Sequence, residues 1–372
     1  MRAKQYGMSL VEVLVAVAIG LIGILIITQA YLASDSFNRS TLGEGGAQTN
    51  GTVALFTVER DVRMSGYGIA DSRAFGCGNI GYYVDPNYSA NFGGTLPNVS
   101  LAPVAITTTA GQPDQITVMY SSGATRLAPV ALTTAQVSGG GMVVDGTYGF
   151  FVGDLILGVN LSGAPNCSLR KVTAVTPASS KLNFNPGAAG EYNPPPGGNG
   201  ALPKYAKDDL VFDLGQLRRR NFAIVNNNLR ATDSLLSDGS TTAFDVVDGI
   251  VDMRAQYGKD NGVNNGTVTN TTYAANDGII DGFDTTLPVT AADWTQVLAV
   301  RIGVLARIGN YEKPSVSGGN CDATTVLPTW SGSAASPFSA VDVATVTSQA
   351  RCFRYRVFET VVPLRNMIWR AS

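Results

Sequence analysis

The sequence predicts an α+β fold in which a long N-terminal helix packs on an antiparallel β-sheet, with an additional all-β subdomain. Three observations support this prediction. An apolar run begins at Met8, an amphipathic segment follows it, and the last part of the chain contains stretches in which apolar and polar residues alternate. The first two features indicate one helix with two different halves. The third indicates strands that each have one buried face.

The first half of the helix, residues 8–28, is predicted to span a membrane. From Met8 to Ile27 the only charged residue is Glu12, and a helix of this length crosses the ~30 Å hydrocarbon core of a bilayer. Arg2 and Lys4 precede the run and place its start on the cytoplasmic side.

Two ordinary explanations of the apolar run fail. A cleaved secretory signal ending at residues 16–18 is disfavoured because strongly apolar sequence continues beyond that point. A simple signal anchor explains the length and the basic start but leaves Glu12 without a purpose. A carboxylate at the centre of a membrane helix costs about 2.5–3.5 kcal/mol, so a functional role is expected for Glu12.

The second half of the helix, residues 29–66, is predicted to be amphipathic and to need a sheet over its apolar side. Its end carries apolar residues next to a run of charges at Glu59, Arg60, Asp61 and Arg63. Gly43, Gly45, Gly46 and Gly51 interrupt the pattern. Glycine costs about 1 kcal/mol relative to alanine inside a helix, so these positions predict a bend or a loosened segment.

Two β regions are predicted to follow the helix. Residues 67–235 are interpreted as a β-rich subdomain and residues 236–372 as the C-terminal antiparallel sheet. In the first region strands are predicted at residues 115–120, 154–159, 169–175, 210–214 and 221–225. In the second region they are predicted at residues 250–257, 297–308 and 353–362.

The alternation in the C-terminal sheet predicts which side chains are buried. Val251, Met253, Ala255 and Tyr257 are expected on the single buried face of one strand. In the next strand Arg301 and Arg307 are expected on the opposite side from the apolar residues.

Two connections are predicted from turn chemistry. Asn226, Asn227 and Asn228 form a plausible hairpin turn, because asparagine tolerates positive φ. The proline-rich segment 191–198 is expected to be an exposed loop.

Composition excludes several classes of function. The chain contains no histidine, which excludes Ser-His-Asp and Cys-His catalysis and histidine-ligated metals. The 26 basic residues do not exceed the 28 acidic residues, so a nucleic acid is not an expected partner.

The four cysteines contain no C-x-x-C pair, which disfavours a zinc ribbon or a thioredoxin-like site. Outside the inner membrane they are expected to form disulfides. Four cysteines allow three pairings. We expect Cys77–Cys167 and Cys321–Cys352, because each pair joins segments within the same predicted half of the globular region.

One acidic segment was weighed as a metal site. Carboxylates suited to calcium lie between residues 259 and 285, namely Asp260, Asp277, Asp281 and Asp284. Their spacing does not fit an EF-hand loop. A solvated loop is therefore favoured, and no cofactor is expected.

Two further charged groups favour structural explanations. Arg218, Arg219 and Arg220 are interpreted as exposed arginines on a strand edge rather than as a phosphate site. Asp208 and Asp209 are interpreted as solvated turn residues rather than as an acid–base pair.

A basic leader, residues 1–7, ends in Gly7, and Glu12 stands at the fifth place counted from Met8. This N-terminus resembles the class III signal shared by type IV pilins and the pseudopilins of type II secretion. The resemblance implies that a prepilin peptidase cuts after Gly7 and methylates the new amino terminus at Met8. It also implies that Glu12 meets the Met8 amine of a neighbouring subunit in the filament.

Two more stretches resemble PilW-type minor pilins. They are residues 56–68, followed soon by Cys77, and residues 354–366. The resemblance implies the type IV pilin fold and a structural, non-enzymatic subunit that primes pilus assembly at or near the tip, with roles in adhesion and twitching motility. The implied partners are other minor pilins, the major pilin and a large tip adhesin.

The same resemblance implies a location and leaves alternatives open. The chain is expected in the inner membrane with a periplasmic C-terminal domain before assembly, and at the pilus tip on the cell surface afterwards. In the families it resembles, the outermost subunit can lack the acidic residue, so Glu12 implies a place below the tip. The alternatives are a minor pseudopilin of type II secretion, or a membrane-anchored calcium-dependent adhesin or enzyme that stays uncut at Gly7.

Overall fold

A computed structural model describes residues 9–69, 80–81, 101–121, 126, 128–136, 141–161, 167–185, 192–193, 204–235, 241–269, 272–316 and 318–368. Three α-helices lie in this part of the chain: α1 (Leu10–Met64), α2 (Ala291–Thr295) and α3 (Arg365–Ile368). The strands before residue 200 are β1 (Ile80–Gly81), β2 (Val104–Thr107), β3 (Gln115–Ser121), β4 (Val130–Ala131), β5 (Gly141–Val143), β6 (Leu155–Val159), β7 (Cys167–Lys171), β8 (Ala174–Thr176) and β9 (Lys181–Asn183). The later strands are β10 (Leu210–Gly215), β11 (Leu217–Val225), β12 (Asn228–Leu235), β13 (Thr241–Asp248), β14 (Ile250–Lys259), β15 (Gly282–Asp284), β16 (Val297–Arg307) and β17 (Tyr355–Pro363).

The helix α1 runs without a break through its glycines, so the prediction of a loosened segment is wrong, while the prediction of a bend stays a prediction. A β-carbon placed at Gly51 would lie 2.1 Å from the Phe358 ring, and one placed at Gly43 would lie 3.2 Å from Ile308 Cγ2. These two glycines therefore allow the helix to approach the sheet closely. The energy of that packing outweighs the poor helix propensity of glycine, which is a weak local preference.

The glycines of α1 give a matched pair of substitutions. Gly51→Ala is expected to destabilise the protein by about 1–3 kcal/mol, because the added methyl group must displace the Phe358 ring. Gly46 has nothing within 4 Å of an added β-carbon, so Gly46→Ala is expected to stabilise by up to about 1 kcal/mol through helix propensity. Denaturant unfolding of the full chain in detergent measures both. A stabilising effect of Gly51→Ala would contradict the close approach.

The four-stranded sheet that covers α1 has the order β15-β14-β16-β17 and is antiparallel. Its three long strands confirm the strands predicted in the C-terminal region, to within a few residues at each end. The second half of α1 packs against this sheet. Their shared core includes Val58 and Val62 of the helix and Val300, Ile302 and Val304 of β16.

The strand β14 has two buried faces, although one was predicted. Met253, Ala255 and Tyr257 do face the core under α1. Val251 does not, because a register shift between Ile250 and Asp252 turns it to the other face, where it packs with Trp330.

A covering segment, residues 310–352, explains the second buried face. Arg301 was expected on the polar side of β16, yet it is only 5 % exposed. Its Nε donates to Gln256 Oε1 at 3.2 Å, and its guanidinium lies 4.1 Å from the centre of the Phe283 ring. Gln256 in turn donates to the carbonyl of Gly332 in the covering segment.

The other strands form three sheets, with orders β13-β12-β11-β3-β2, β1-β7-β6-β10-β4 and β5-β9-β8. The hairpin between β11 and β12 is confirmed, with φ of 53° at Asn226 and 61° at Asn227. The predicted strand 169–175 is instead two strands, β7 and β8. The predicted boundary between residues 235 and 236 falls between β12 and β13, which are paired in one sheet.

The predicted exposed loop at residues 191–198 lies mostly outside the described residues. Tyr192 and Asn193 are described, and both are buried, so the prediction of exposure is wrong for these two. The Asn193 side chain accepts from the Lys171 amide and donates to the Lys171 carbonyl. It therefore completes the hydrogen bonds at the end of β7 as another strand would.

The predicted disulfide between Cys321 and Cys352 is confirmed, with 4.9 Å between the two Cα atoms. It joins the start and the end of the covering segment. Cys77 lies outside the described residues, so its pairing with Cys167 stays a prediction. The parallel pairing of β1 with β7 supports it, because Ile80, three residues after Cys77, lies opposite Cys167.

All four cysteines are expected to be oxidised in native protein. Alkylation of the denatured, unreduced chain should modify no thiol, and alkylation after reduction should modify four. Each disulfide is expected to contribute about 2–4 kcal/mol of stability. Two thiols modified without reduction would contradict one of the two pairs, and four would contradict both.

Candidate functional site

The first half of α1 is an exposed apolar surface. Among the described residues, α1 is the one helix long and apolar enough to cross a membrane, and none of its most apolar stretch is buried. Leu10 is 77 % exposed and Phe37 is 73 % exposed. Large apolar side chains are exposed along this half, including Val11, Leu14, Ile19, Ile24 and Ile27, and the exposed surface continues into the second half at Tyr31, Phe37 and Leu42. A surface of this size is unusual for a soluble monomer and indicates a membrane or protein partner.

Glu12 lies in the first turn of α1 and is exposed. The helix begins with Ser9 as its N-cap, and the Ser9 Oγ accepts from the Glu12 amide at 3.2 Å. The spacing Ser9-x-x-Glu12 is a visible capping-box signal that the sequence interpretation missed. Only the Ser9 half of the box is formed, whereas Thr290 and Asp293 form both halves at α2.

The Glu12 carboxylate is available to another molecule. Within the described part of the chain, no hydrogen bond or ion pair engages it. A carboxylate near the start of a helix is also favoured by the helix dipole. Gly7 and Met8, the predicted cleavage site and new terminus, lie outside the described residues, and their roles stay predictions.

Charged pairs mark the junction where α1 leaves the sheets. Asp35 and Arg39 form an i,i+4 pair at 2.8 Å. Arg354 pairs with Glu312 near the same place, beside an open groove of about 580 Å³. Exposed pairs of this kind contribute little to stability. They separate the apolar surface of the first half from the packed second half.

The packed half of α1 is held by small apolar residues and by one buried carboxylate. Ala47, Ala54, Val58 and Val62 are each less than 5 % exposed, and Asp61 is 1 % exposed. The sequence places Asp61 in the run of charges at the end of the amphipathic helix, yet the structure buries it. Its position, seven residues after Ala54 and three after Val58, places it on the buried stripe of the helix.

Arg220 is the partner of Asp61 and ties α1 to the sheet containing β11 and β12. Its Nη1 lies 2.7 Å from Asp61 Oδ2, and its Nη2 lies 2.9 Å from Asp233 Oδ2. Burial alone would lower the pKa of Arg220, but the hydrogen bonds to Asp233 and Asp61 outweigh it and raise the pKa. The guanidinium is therefore charged at all accessible pH values.

The arginine run is therefore not an exposed strand edge. The strand β11, which carries Arg218, Arg219 and Arg220, lies inside its sheet between β3 and β12. All three arginines are partly buried. Arg218 also contacts Asp233, at 3.1 Å. The structure thus gives Arg218 and Arg220 a structural role, in which both pair with Asp233.

The pair Asp208 and Asp209 divides into two environments. Asp208 is exposed in a turn with φ of 72°, as expected. Asp209 is 4 % exposed, and its carboxylate accepts from the amides of Leu161 and Ala206. It is a turn residue that caps backbone amides, so the prediction that it is solvated is wrong.

A second buried network joins β14 to its neighbours. Arg254 contacts Asp114 at 3.2 Å and Asp252 at 3.1 Å. Burial raises the pKa of Asp114 to about 6, against the opposing effect of the Ala255 amide and Arg254. Asp252 accepts from the amides of Ser339 and Ala340. This network fastens the covering segment to the sheet.

The four calcium candidates are not brought together as one acidic cluster. Among the described residues no group of three or more acidic or cysteine side chains is placed to hold a metal. Asp277 is exposed, and Asp284 pairs with Lys259 at 2.7 Å. Asp260 and Asp281 are buried, so the prediction of a solvated loop is wrong for these two residues.

Two family models match the chain. The family described as Type IV Pilus-assembly protein W matches residues 216–366, which contain β11 to β17. The prokaryotic N-terminal methylation motif matches residues 2–28, which contain Gly7, Met8 and Glu12. Searches of curated proteins and of solved structures returned no match. The region between the two matches includes the packed half of α1 and the strands β1 to β10.

Proposed function

We propose that the chain is a PilW-type minor pilin that primes assembly of the type IV pilus, and the two family matches support this proposal. Its role is structural rather than catalytic. The observation that carries the proposal is the division of α1 into an exposed apolar half and a half packed in the core. The exposed half suits a bilayer before assembly and a bundle of neighbouring helices afterwards.

The proposed assembly contact is an ion pair between subunits. A prepilin peptidase cuts after Gly7 and methylates Met8, and Glu12 then pairs with the Met8 amine of a neighbouring subunit. The exposed carboxylate of Glu12, which no described residue engages, supports this step. In a bundle of apolar helices the two charges attract more strongly than in water, and each offsets the desolvation cost of the other.

The proposed position is one or more places below the tip. Glu12 needs a neighbour whose amine it can meet, so a subunit that carries it is not expected to be outermost. The partners are other minor pilins and the major pilin, with a large adhesin above them. Before assembly the chain lies in the inner membrane with its globular part in the periplasm.

Deletion and labelling test the priming role. A strain lacking this chain is expected to make at least about tenfold fewer pili, and the wild-type chain supplied in trans should restore them. Immunogold labelling with antibodies against the folded chain should mark one end of a pilus. Labelling along the whole pilus, or normal pilus numbers in the deletion strain, would contradict a minor subunit that primes assembly.

A minor pseudopilin is the second candidate, because the leader ending in Gly7 also resembles that of the pseudopilins of type II secretion. The same deletion strain separates them. A pseudopilin predicts normal pili and loss of secretion of folded periplasmic proteins, whereas the proposed function predicts the reverse.

A further inference from the structure

Asp260 and Asp281 lie side by side where β14 and β15 end. Lys259, the last residue of β14, is in register with Gly282, the first residue of β15. The Asp281 amide donates to the Lys259 carbonyl at 2.8 Å. Asp260, the residue after Lys259, and Asp281, the residue before Gly282, are therefore neighbours. Both carboxylates are buried, with Asp260 2 % exposed and Asp281 0 % exposed.

Each carboxylate uses one oxygen to hold the other segment. Asp260 Oδ2 accepts from the Gly278 amide at 2.7 Å, and Asp281 Oδ2 accepts from the Gly262 amide at 2.6 Å. Asp260, which follows β14, thus holds the turn before β15 at Gly278. Asp281, which precedes β15, holds the turn after β14 at Gly262. These bonds fix the orientation of both carboxylates.

Among the described residues, no group donates a hydrogen bond to the second oxygen of either carboxylate. Asp260 Oδ1 and Asp281 Oδ1 are both buried without a hydrogen bond. Asp252 Oδ1 also lacks one, but it lies 3.1 Å from the Arg254 Nε. No such cation serves Asp260 or Asp281 in the part of the chain that the structure describes. The nearby Lys259 Nζ is already engaged by Asp284 and the Thr286 carbonyl.

Two unpaired carboxylate oxygens are costly in a buried position. An unsatisfied buried acceptor costs about 1–3 kcal/mol, and more when it is charged. Two such groups on adjacent segments also repel each other. A bound cation would satisfy both oxygens and remove the repulsion at the same time.

We propose that Asp260 and Asp281 bind one calcium ion through their Oδ1 atoms. Hard carboxylate oxygens suit calcium, and the surrounding Asn- and Gly-rich turns can add backbone carbonyls and water to the six to eight ligands that calcium takes. Magnesium fits less well, because it demands a near-ideal octahedron and dehydrates reluctantly. With two carboxylates, an affinity in the range of extracellular calcium modules is expected, a Kd of about 10⁻⁴–10⁻³ M.

Calcium titration of the full chain in detergent tests the proposal, after removal of metal with a chelator. Isothermal titration with CaCl₂ is expected to show one saturable site, and calcium is expected to raise the midpoint of thermal unfolding. Equal concentrations of MgCl₂ are expected to raise it less. No binding and no thermal shift in the wild-type chain up to about 10 mM calcium, above the range of such modules, would overturn the proposal without any variant.

Three isosteric variants assign the site. Asp260→Asn and Asp281→Asn each replace a charged oxygen, and each is expected to weaken calcium binding at least about tenfold and to remove the thermal shift. Asp284→Asn is the matched control in the same segment, since its carboxylate is already paired with Lys259, and it is expected to bind within about twofold of the wild type. Unchanged binding in Asp260→Asn and Asp281→Asn, or an equal loss in Asp284→Asn, would reject this pair of residues as the site. Circular dichroism of the calcium-free variants confirms that each one is folded.

Discussion

Replacing Glu12 by glutamine is expected to lower the number of pili at least about tenfold. Glutamine keeps the shape and the hydrogen-bonding capacity of Glu12 but removes its charge. The attraction between subunits is then lost, and the neighbour's amine is left uncompensated among apolar helices. A loss of only 1.4 kcal/mol in association changes the equilibrium tenfold. Pili are counted by electron microscopy in a strain that carries only the variant chain.

The Glu12→Gln experiment requires two controls. Cleavage after Gly7 and membrane insertion should be normal in the variant, because glutamine is less costly than glutamate in a bilayer. Glu12→Asp, which keeps the charge on a shorter side chain, should retain more pili than Glu12→Gln. Normal pilus numbers together with normal cleavage would show that the charge is not used for assembly.

Asp61→Asn is expected to destabilise the folded chain by about 1.5–3 kcal/mol, the contribution of a hydrogen bond to a charged group. The substitution removes one of the two carboxylates that hold the Arg220 guanidinium, and the remaining one, Asp233, is shared with Arg218. Trp294 and Trp330 are both buried, so their fluorescence reports denaturant unfolding of the full chain in detergent. A loss below about 1 kcal/mol would show that the network does not hold α1 to the sheet.

A matched control and a double-mutant cycle complete this test. Asp245→Asn breaks the exposed pair with Arg230 and should leave the unfolding midpoint unchanged. The effects of Asp61→Ala and Arg220→Ala on the free energy of unfolding should be strongly non-additive, because either substitution alone removes the contact between the two side chains. Additive effects would mean that the two residues act independently.

Local patterns were sufficient for the main elements of the fold. The period-2 alternation predicted β14, β16 and β17, and the asparagines predicted the turn between β11 and β12. The apolar run after Met8 predicted the first half of α1. Each of these signals acts within a few residues, and each is reinforced rather than opposed by its surroundings.

The errors arose where a distant segment decides the outcome. Whether glycine loosens α1 depends on the ring of Phe358, which packs on Gly51. The burial of Arg301 depends on the covering segment, which no alternation reveals. A register shift between Ile250 and Asp252 in β14 places Val251 on the other face of the sheet. Helix propensity and the spacing of apolar residues are local signals, so neither predicts any of these three outcomes.

The residues of the candidate site likewise fall into those that a local motif predicts and those that depend on a distant partner. Glu12 was found from its spacing to Gly7, which is a local motif, and the Ser9 cap was visible in the same stretch. The pairing of Asp61 with Arg220 joins residues 159 positions apart, and sequence alone does not reveal it. Asp260 and Asp281 were found as candidates, but their burial and unpaired oxygens emerge only when β14 pairs with β15.

Mass spectrometry of the amino terminus is the most direct test of the central claim that this chain is a processed pilin. The chain is recovered from purified pili and from native membranes, and its N-terminal peptide is sequenced. The mature chain is predicted to begin at N-methylated Met8 in pili, with residues 1–7 absent. An intact Met1 in chains recovered from assembled pili would contradict the pilin function and favour an uncut membrane-anchored protein.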